Sequence, residues 1–300
     1  MTKKSLIEGK SWKQADKLIE KFSYVDHDEG IKLFNKIINK KKHDDVIIRI
    51  LRNLASNQKK YTWKIIDHIF NNSKFDYDKE IINRGNISHL AALNGNIYLL
   101  KYLIKNNLLN TELNKLGLNP FTLAIVVAEF TSSFEAVKLL FKSGKFKINS
   151  KNKSGYTPLY LACSSSYSDM NYTTKIIKFL LENGANPNIK DKYGNTPMMI
   201  IMDRYISPFR MTPFDLRFVK KTIDLLIKHG ADINLKNSIG ETALMVASTF
   251  CDDKNKIKVI KHLIDNGANI YLKDKQNKTV LEKYSTGECS KFIRKYKNIN

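Results

Sequence analysis

The sequence predicts an all-α solenoid, a stack of helix–turn–helix repeats joined by extended turn fingers. Three observations carry this. First, the stretch KSGYTPLYLAC … TKIIKFLLENGANPN (153–188) is followed by KYGNTPMMIIM … KKTIDLLIKHGADIN and by SIGETALMVAS … IKVIKHLIDNGANIY. Second, each copy opens on Gly-x-Thr (Gly155 and Thr157, Gly194 and Thr196, Gly240 and Thr242). Third, each copy closes an apolar helix face with Gly184, Gly230 or Gly267. A period of this length marks an array of units that bury their apolar faces only against their neighbours.

The chemistry of one unit follows from its residues. Thr157 has a side-chain oxygen suited to capping a helix start, and Pro158 fits the first helical position, where its missing N–H costs nothing. Leu159, Leu161 and Ala162 form the inward side of a short helix, and the small Ala162 admits a close neighbour. In the second helix, Ile176, Ile177, Leu180 and Leu181 share one face of a 3.6-residue period. Gly184 can take the left-handed conformation that ends a helix, and the chain then runs through Asn and Pro to a turn near Tyr193-Gly194.

TPLYLA followed by FLLENGANPN resembles the ankyrin repeat, whose opening is T-P-L-H-x-A and whose period is about 33 residues. The resemblance covers roughly residues 83–298. It implies partner binding through the turn tips and the exposed side of each first helix. Chains this rich in Lys, Asn and Ile, with lengthened loops between helices, resemble those of giant DNA viruses of amoebae and of poxviruses. Contact with host proteins is the role this implies. An F-box-like tail of the poxvirus kind is not evident after Gly287, which puts a ligase-adaptor role in doubt.

In chain order, residues 1–43 read as an N-terminal helical cap, with Ser11 before one helix and Ile31, Leu33, Phe34, Ile37 and Ile38 in the next. Residues 44–82 read as a degenerate repeat, with Ile65, Ile66, Ile69 and Phe70 on its outer helix. Residues 83–273 hold five repeats. In the first, Asn86-Ile87 replaces Thr-Pro, and His89 stands in the motif's histidine place, which implies a structural tie between turns. In the second, Asn119 is placed to cap as Thr does. The fourth departs most. Ile201 takes the place of Ala162 and Ala247, and 34 residues separate Thr196 from Gly230, against 27 for Thr157 to Gly184. The extra length falls in a loop, DRYISPFRMTPFDLRF. Residues 274–300 read as a C-terminal capping repeat.

Composition narrows the function classes. No apolar run has the length of a membrane span, and the N-terminus has no signal-peptide core. Cys163, Cys251 and Cys289 show no pairing spacing, which predicts a reducing, cytoplasmic setting. The formal net charge of +22 comes mostly from Lys, spread along the chain, with seven Arg. A general affinity for anions follows, so binding of nucleic acid or anionic surfaces is the alternative to protein binding. There is no GxGxxG and no Gly-Lys-Ser/Thr phosphate loop, and Asp26-His27-Asp28 and His43-Asp44-Asp45 lack partners for a metal shell. The expectation is a monomer with no enzymatic activity, cofactor or metal, working as a protein-interaction scaffold.

The candidate partner-binding residues lie at fingers and loops. They are Lys153 and Tyr156 in the third copy, Lys192, Tyr193, Asp203 and Arg204 in the fourth, and Ile239, Glu241 and Phe250 in the fifth. Tyr156, Tyr193, Ile239 and Phe250 read either as anchors or as packing against adjacent turns. Phe209, Arg210 and Phe214 in the long loop join two prolines (Pro208 and Pro213) with the residue types that interfaces favour.

Overall fold

The computed structural model describes residues 27–38, 47, 50, 51, 54, 62–72, 85–131, 134–165, 170–206, 215–249, 254–284 and 288–297. Among these residues there are helices and turns and no strand. The chain divides into two compact units, Met1–Phe146 and Lys147–Asn300. Much of the expected N-terminal cap, Ser11 included, lies outside the described residues.

The first unit contains α1 (His27–Ile38), α2 (Thr62–Asn72), α3 (Ile87–Leu93), α4 (Ile97–Lys105), α5 (Pro120–Thr131) and α6 (Phe134–Lys142). Helices α2, α4 and α6 pack in succession as an outer layer, and α3 packs on α5 as the inner one. Asn86 begins α3 by accepting the N–H groups of Ser88 and His89, and Asn96 begins α4 by accepting that of Leu99. Asn119 accepts the N–H of Thr122 at 2.9 Å, as the sequence predicts. Leu99, Leu100 and Leu103 turn inward from α4, and Ile65, Ile66 and Ile69 do so from α2. Ile47, Ile50, Leu51 and Leu54 are helical and buried too, at the spacing of one helix face. Phe121 sits fully buried between the rings of Phe141 and Phe146.

The second unit repeats one plan. Its inner helices are α7 (Pro158–Ser164), α9 (Pro197–Ile206), α11 (Ala243–Ser248) and α13 (Val280–Lys283). Its outer helices are α8 (Met170–Glu182), α10 (Leu216–Lys228), α12 (Lys254–Asp265) and α14 (Glu288–Lys297). Inner packs on inner and outer on outer, in order. Thr157, Thr196, Thr242 and Thr279 each accept an N–H three residues on, and Thr279 closes a full capping box with Glu282. Ala162, Ile201 and Ala247 occupy equivalent places and are all fully buried.

Two expectations are corrected. The long loop of the fourth repeat is shorter than read, because Asp203–Ile206 finish α9 and Asp215 caps α10 by accepting the N–H groups of Arg217 and Phe218. Phe218, Val219, Thr222, Ile223 and Leu226 are buried along α10, so the helix period already runs through the end of the supposed loop. The cysteine spacing, which shows no pairing, is likewise no guide to the bonding. Cys163 is a buried free thiol, whereas Cys289 is disulfide-bonded.

Candidate functional site

The fingers between repeats are built by one polar residue each. Asn114, Asn152, Asp191, Asn237 and Asp274 stand at the same place in five successive fingers. In each, the Oδ1 atom accepts the N–H groups two and four residues on, at 2.8–3.1 Å. A short polar side chain thus takes over the turn's backbone donors. Three residues after it the chain turns left-handed, at Gly117, Gly155, Gly194 and Gly240, and at Asn277 in the last finger.

Neighbouring fingers of the second unit then join by backbone bonds. Lys192 N–H donates to the Ser154 carbonyl (3.3 Å), Ser238 N–H to Tyr193 (2.9 Å) and Lys275 N–H to Ile239 (3.0 Å). This approach explains the finger glycine better than conformation alone does. A Cβ on Gly194 would meet the Ser238 nitrogen at 2.5 Å, whereas one on the helix-ending Gly184 would meet nothing within 4 Å.

Two side-chain ladders run beside the fingers. Asn149, Asn188 and Asn234 each clamp the next repeat. Their Nδ2 groups donate to the carbonyls of Gly184, Gly230 and Gly267 (2.8–3.0 Å), and their Oδ1 atoms accept the N–H groups of Asn186, Asp232 and Asn269 (2.8 Å). Lys151, Lys190 and Lys236 donate to the carbonyls of Lys190, Lys236 and Lys273 (2.7–2.9 Å). In the first unit, His89 donates from Nε2 to the Leu118 carbonyl (3.0 Å), with Nδ1 2.9 Å from Asn86 Oδ1. Burial holds its imidazole below the usual 6.5. This is the structural tie expected of it.

The predicted residues separate into distinct environments. Tyr193 and Ile239 project from adjacent finger tips, 57% and 50% exposed. Lys153 and Lys192 are exposed as well, and the Lys192 ammonium lies 4.8 Å from the centre of the Tyr193 ring. Tyr156 is half-buried and stacks on Tyr160 at 4.5 Å, and Tyr160 donates to Asp191 (2.8 Å). Glu241 is held by Lys283 at 2.7 Å. Asp203 and Arg204 are half-buried near the end of α9. Phe209, Arg210, Phe214 and Phe250 lie outside the described residues. No group of three or more metal-capable side chains occurs among the described residues. Burial pushes the Cys163 thiol far up from its ordinary value, which makes it inert. None of the described helices is long and apolar enough to cross a membrane. An open groove of about 310 Å³ along α2 and α4, lined by Asp67, Tyr98, Lys101 and Tyr102, was not evident in the sequence.

A family model of three ankyrin repeats matches residues 125–205, and one of a single ankyrin repeat matches residues 239–275. The chain carries ankyrin repeats. An ankyrin repeat protein of Acanthamoeba polyphaga mimivirus is 40% identical over 62 residues, covering 21% of this chain and 14% of that protein. Protein phosphatase 1 regulatory subunit 27 of Homo sapiens is 32% identical over 95 residues, covering 31% and 57%. The chain thus spans less than two thirds of the length of these relatives. The crystal structure of the ankyrin repeat domain of Bcl-3 superposes with a TM-score of 0.63 at 21% identity, over 81% of this chain and 97% of that one, a likeness of fold alone. Ankyrin repeats are general protein–protein interaction modules, and two neighbouring finger tips of this one present Tyr193 and Ile239 to solvent.

Proposed function

We propose that the chain is a non-catalytic scaffold that recognises a host protein through its finger row. The observation that carries this reading is the pair Tyr193 and Ile239, two large apolar side chains at least half exposed on neighbouring tips. An aromatic and an aliphatic side chain held on a hydrogen-bonded frame lose little freedom on binding, which favours them as anchors. Lys153 and Lys192 are exposed on the same row, and Asp203, Arg204, Phe209, Arg210, Phe214 and Phe250 belong to the proposal as neighbours in sequence. Tyr156 and Glu241 serve it indirectly, by stiffening the fingers. Action inside a host cell, by a single copy of the chain, rests on the viral resemblance and not on the cysteines, since Cys289 is disulfide-bonded.

Affinity purification from host cells, with partners quantified by mass spectrometry, tests the reading. The double variant Tyr193→Ala/Ile239→Ala is expected to lose its partner about tenfold or more while its helical circular dichroism is unchanged. Equal recovery by both proteins would remove the finger row from the function.

A further inference from the structure

Resting on the reading that the finger row binds protein, we propose that its second-unit part takes an acidic segment that also carries an apolar side chain. The four fingers 151–156, 190–195, 236–241 and 273–278 contain eight lysines and three carboxylates. All three carboxylates are engaged by the protein itself. Asp191 is buried, gives Oδ1 to two backbone N–H groups and accepts the Tyr160 hydroxyl on Oδ2. Asp274 is buried in the same way and meets Lys283 at 2.8 Å, while Glu241 meets the same ammonium at 2.7 Å.

The lysines are arranged oppositely. Lys153, Lys192, Lys275 and Lys278 are exposed. Lys151, Lys190 and Lys236 each place one ammonium donor on a backbone carbonyl, which fixes the position of the charge without cancelling it. The row therefore presents fixed positive charge with its own acids turned inward. Such a surface speeds and selects acidic partners and repels basic ones.

The exposed Tyr193 and Ile239 set the second requirement. Ile239 cannot stack on a base, and the four fingers contain no Arg, so the row lacks the aromatic and guanidinium pattern of a nucleic-acid groove. Its apolar pair fits an aliphatic or aromatic side chain flanked by Asp or Glu.

A random dodecapeptide library displayed on phage and selected on the immobilised full chain tests this. The expected result is enrichment of peptides rich in Asp and Glu with one or more large apolar residues. Their affinity should fall about tenfold or more in Tyr193→Ala/Ile239→Ala and in Lys192→Gln/Lys275→Gln, and it should weaken as salt rises from about 0.05 M to about 0.5 M. Circular dichroism confirms that each variant is folded. Enriched peptides that are neutral or basic, yet still lost in Tyr193→Ala/Ile239→Ala, overturn the acidic partner and leave protein recognition standing. Acidic peptides indifferent to both double variants overturn the location. Failure to enrich any peptide, with salt-sensitive capture of a single-stranded oligonucleotide, overturns both this inference and the protein-binding reading beneath it.

Discussion

Lys283 serves two carboxylates at once, Glu241 and Asp274, and links the last inner helix to two successive fingers. Burial works against its charge, but the bonds to Asp274 and Glu241 outweigh it and hold the ammonium well above its usual range. The bond from Lys283, with the N–H groups of Lys278 and Gln276, keeps the Asp274 carboxyl below its usual 3.8. A carboxyl depressed in the folded state stabilises the fold at pH values above its unfolded pKa. That contribution disappears as the pH falls through the lower folded value. The chain should therefore lose thermal stability on acidification below about pH 4. Asp274→Asn should be less stable at neutral pH and lose less on going to acid. Thermal melts of both proteins across that range check this, and identical acid slopes would contradict the role given to Asp274. At this scale the sequence shows the charge of Lys283 but not its bond to Glu241, which lies a whole repeat away.

At the scale of the element, one buried position sets α9 apart from its neighbours. Ile201 is completely buried where α7 and α11 carry Ala162 and Ala247. An isoleucine at that place fills more of the interior than the alanine of the adjacent helices does. Ile201→Ala should cost about 3 kcal/mol, the transfer of the lost methyl groups plus a cavity that cannot collapse. Urea denaturation measures it, and a loss below about 1 kcal/mol would show that α9 moves in to close the gap. The helices themselves were legible because Thr-Pro caps, apolar spacing and terminal glycines agree locally. The end of α9 and the start of α10 were not legible because Pro208 and Pro213 read as loop residues and masked the Asp215 cap.

Across the whole molecule, the formal charge of +22 acts on stability as well as on binding. Like charges repel most in the compact state, and salt at physiological strength largely screens exposed pairs more than about 8 Å apart. The melting temperature should rise as sodium chloride goes from about 0.02 M to about 0.2 M, as followed by circular dichroism. A fall over that range would mean that ion pairs such as Lys283 with Glu241 outweigh the general repulsion. The repeat pattern and the positions of Tyr193 and Ile239 could be read from the sequence. What separates those two from Tyr156 could not, since Tyr156 finds the Tyr160 ring only once the chain has folded. The lysine surplus hid a similar division between ammonium groups bonded to carbonyls and those left to solvent.

The asparagine clamps carry a last consequence for how such a chain can change. Asn149 reaches Gly184 over 35 positions, Asn188 reaches Gly230 over 42, and Asn234 reaches Gly267 over 33, yet the bonds formed are the same. Registration between neighbours is thus indifferent to how much chain lies between the fastening points. Evolution can lengthen one segment without loosening the rest. Tyr271 takes the position where the next asparagine would stand, so the series of fasteners stops there. Restoring asparagine at that site is where an engineer would begin to splice on another module.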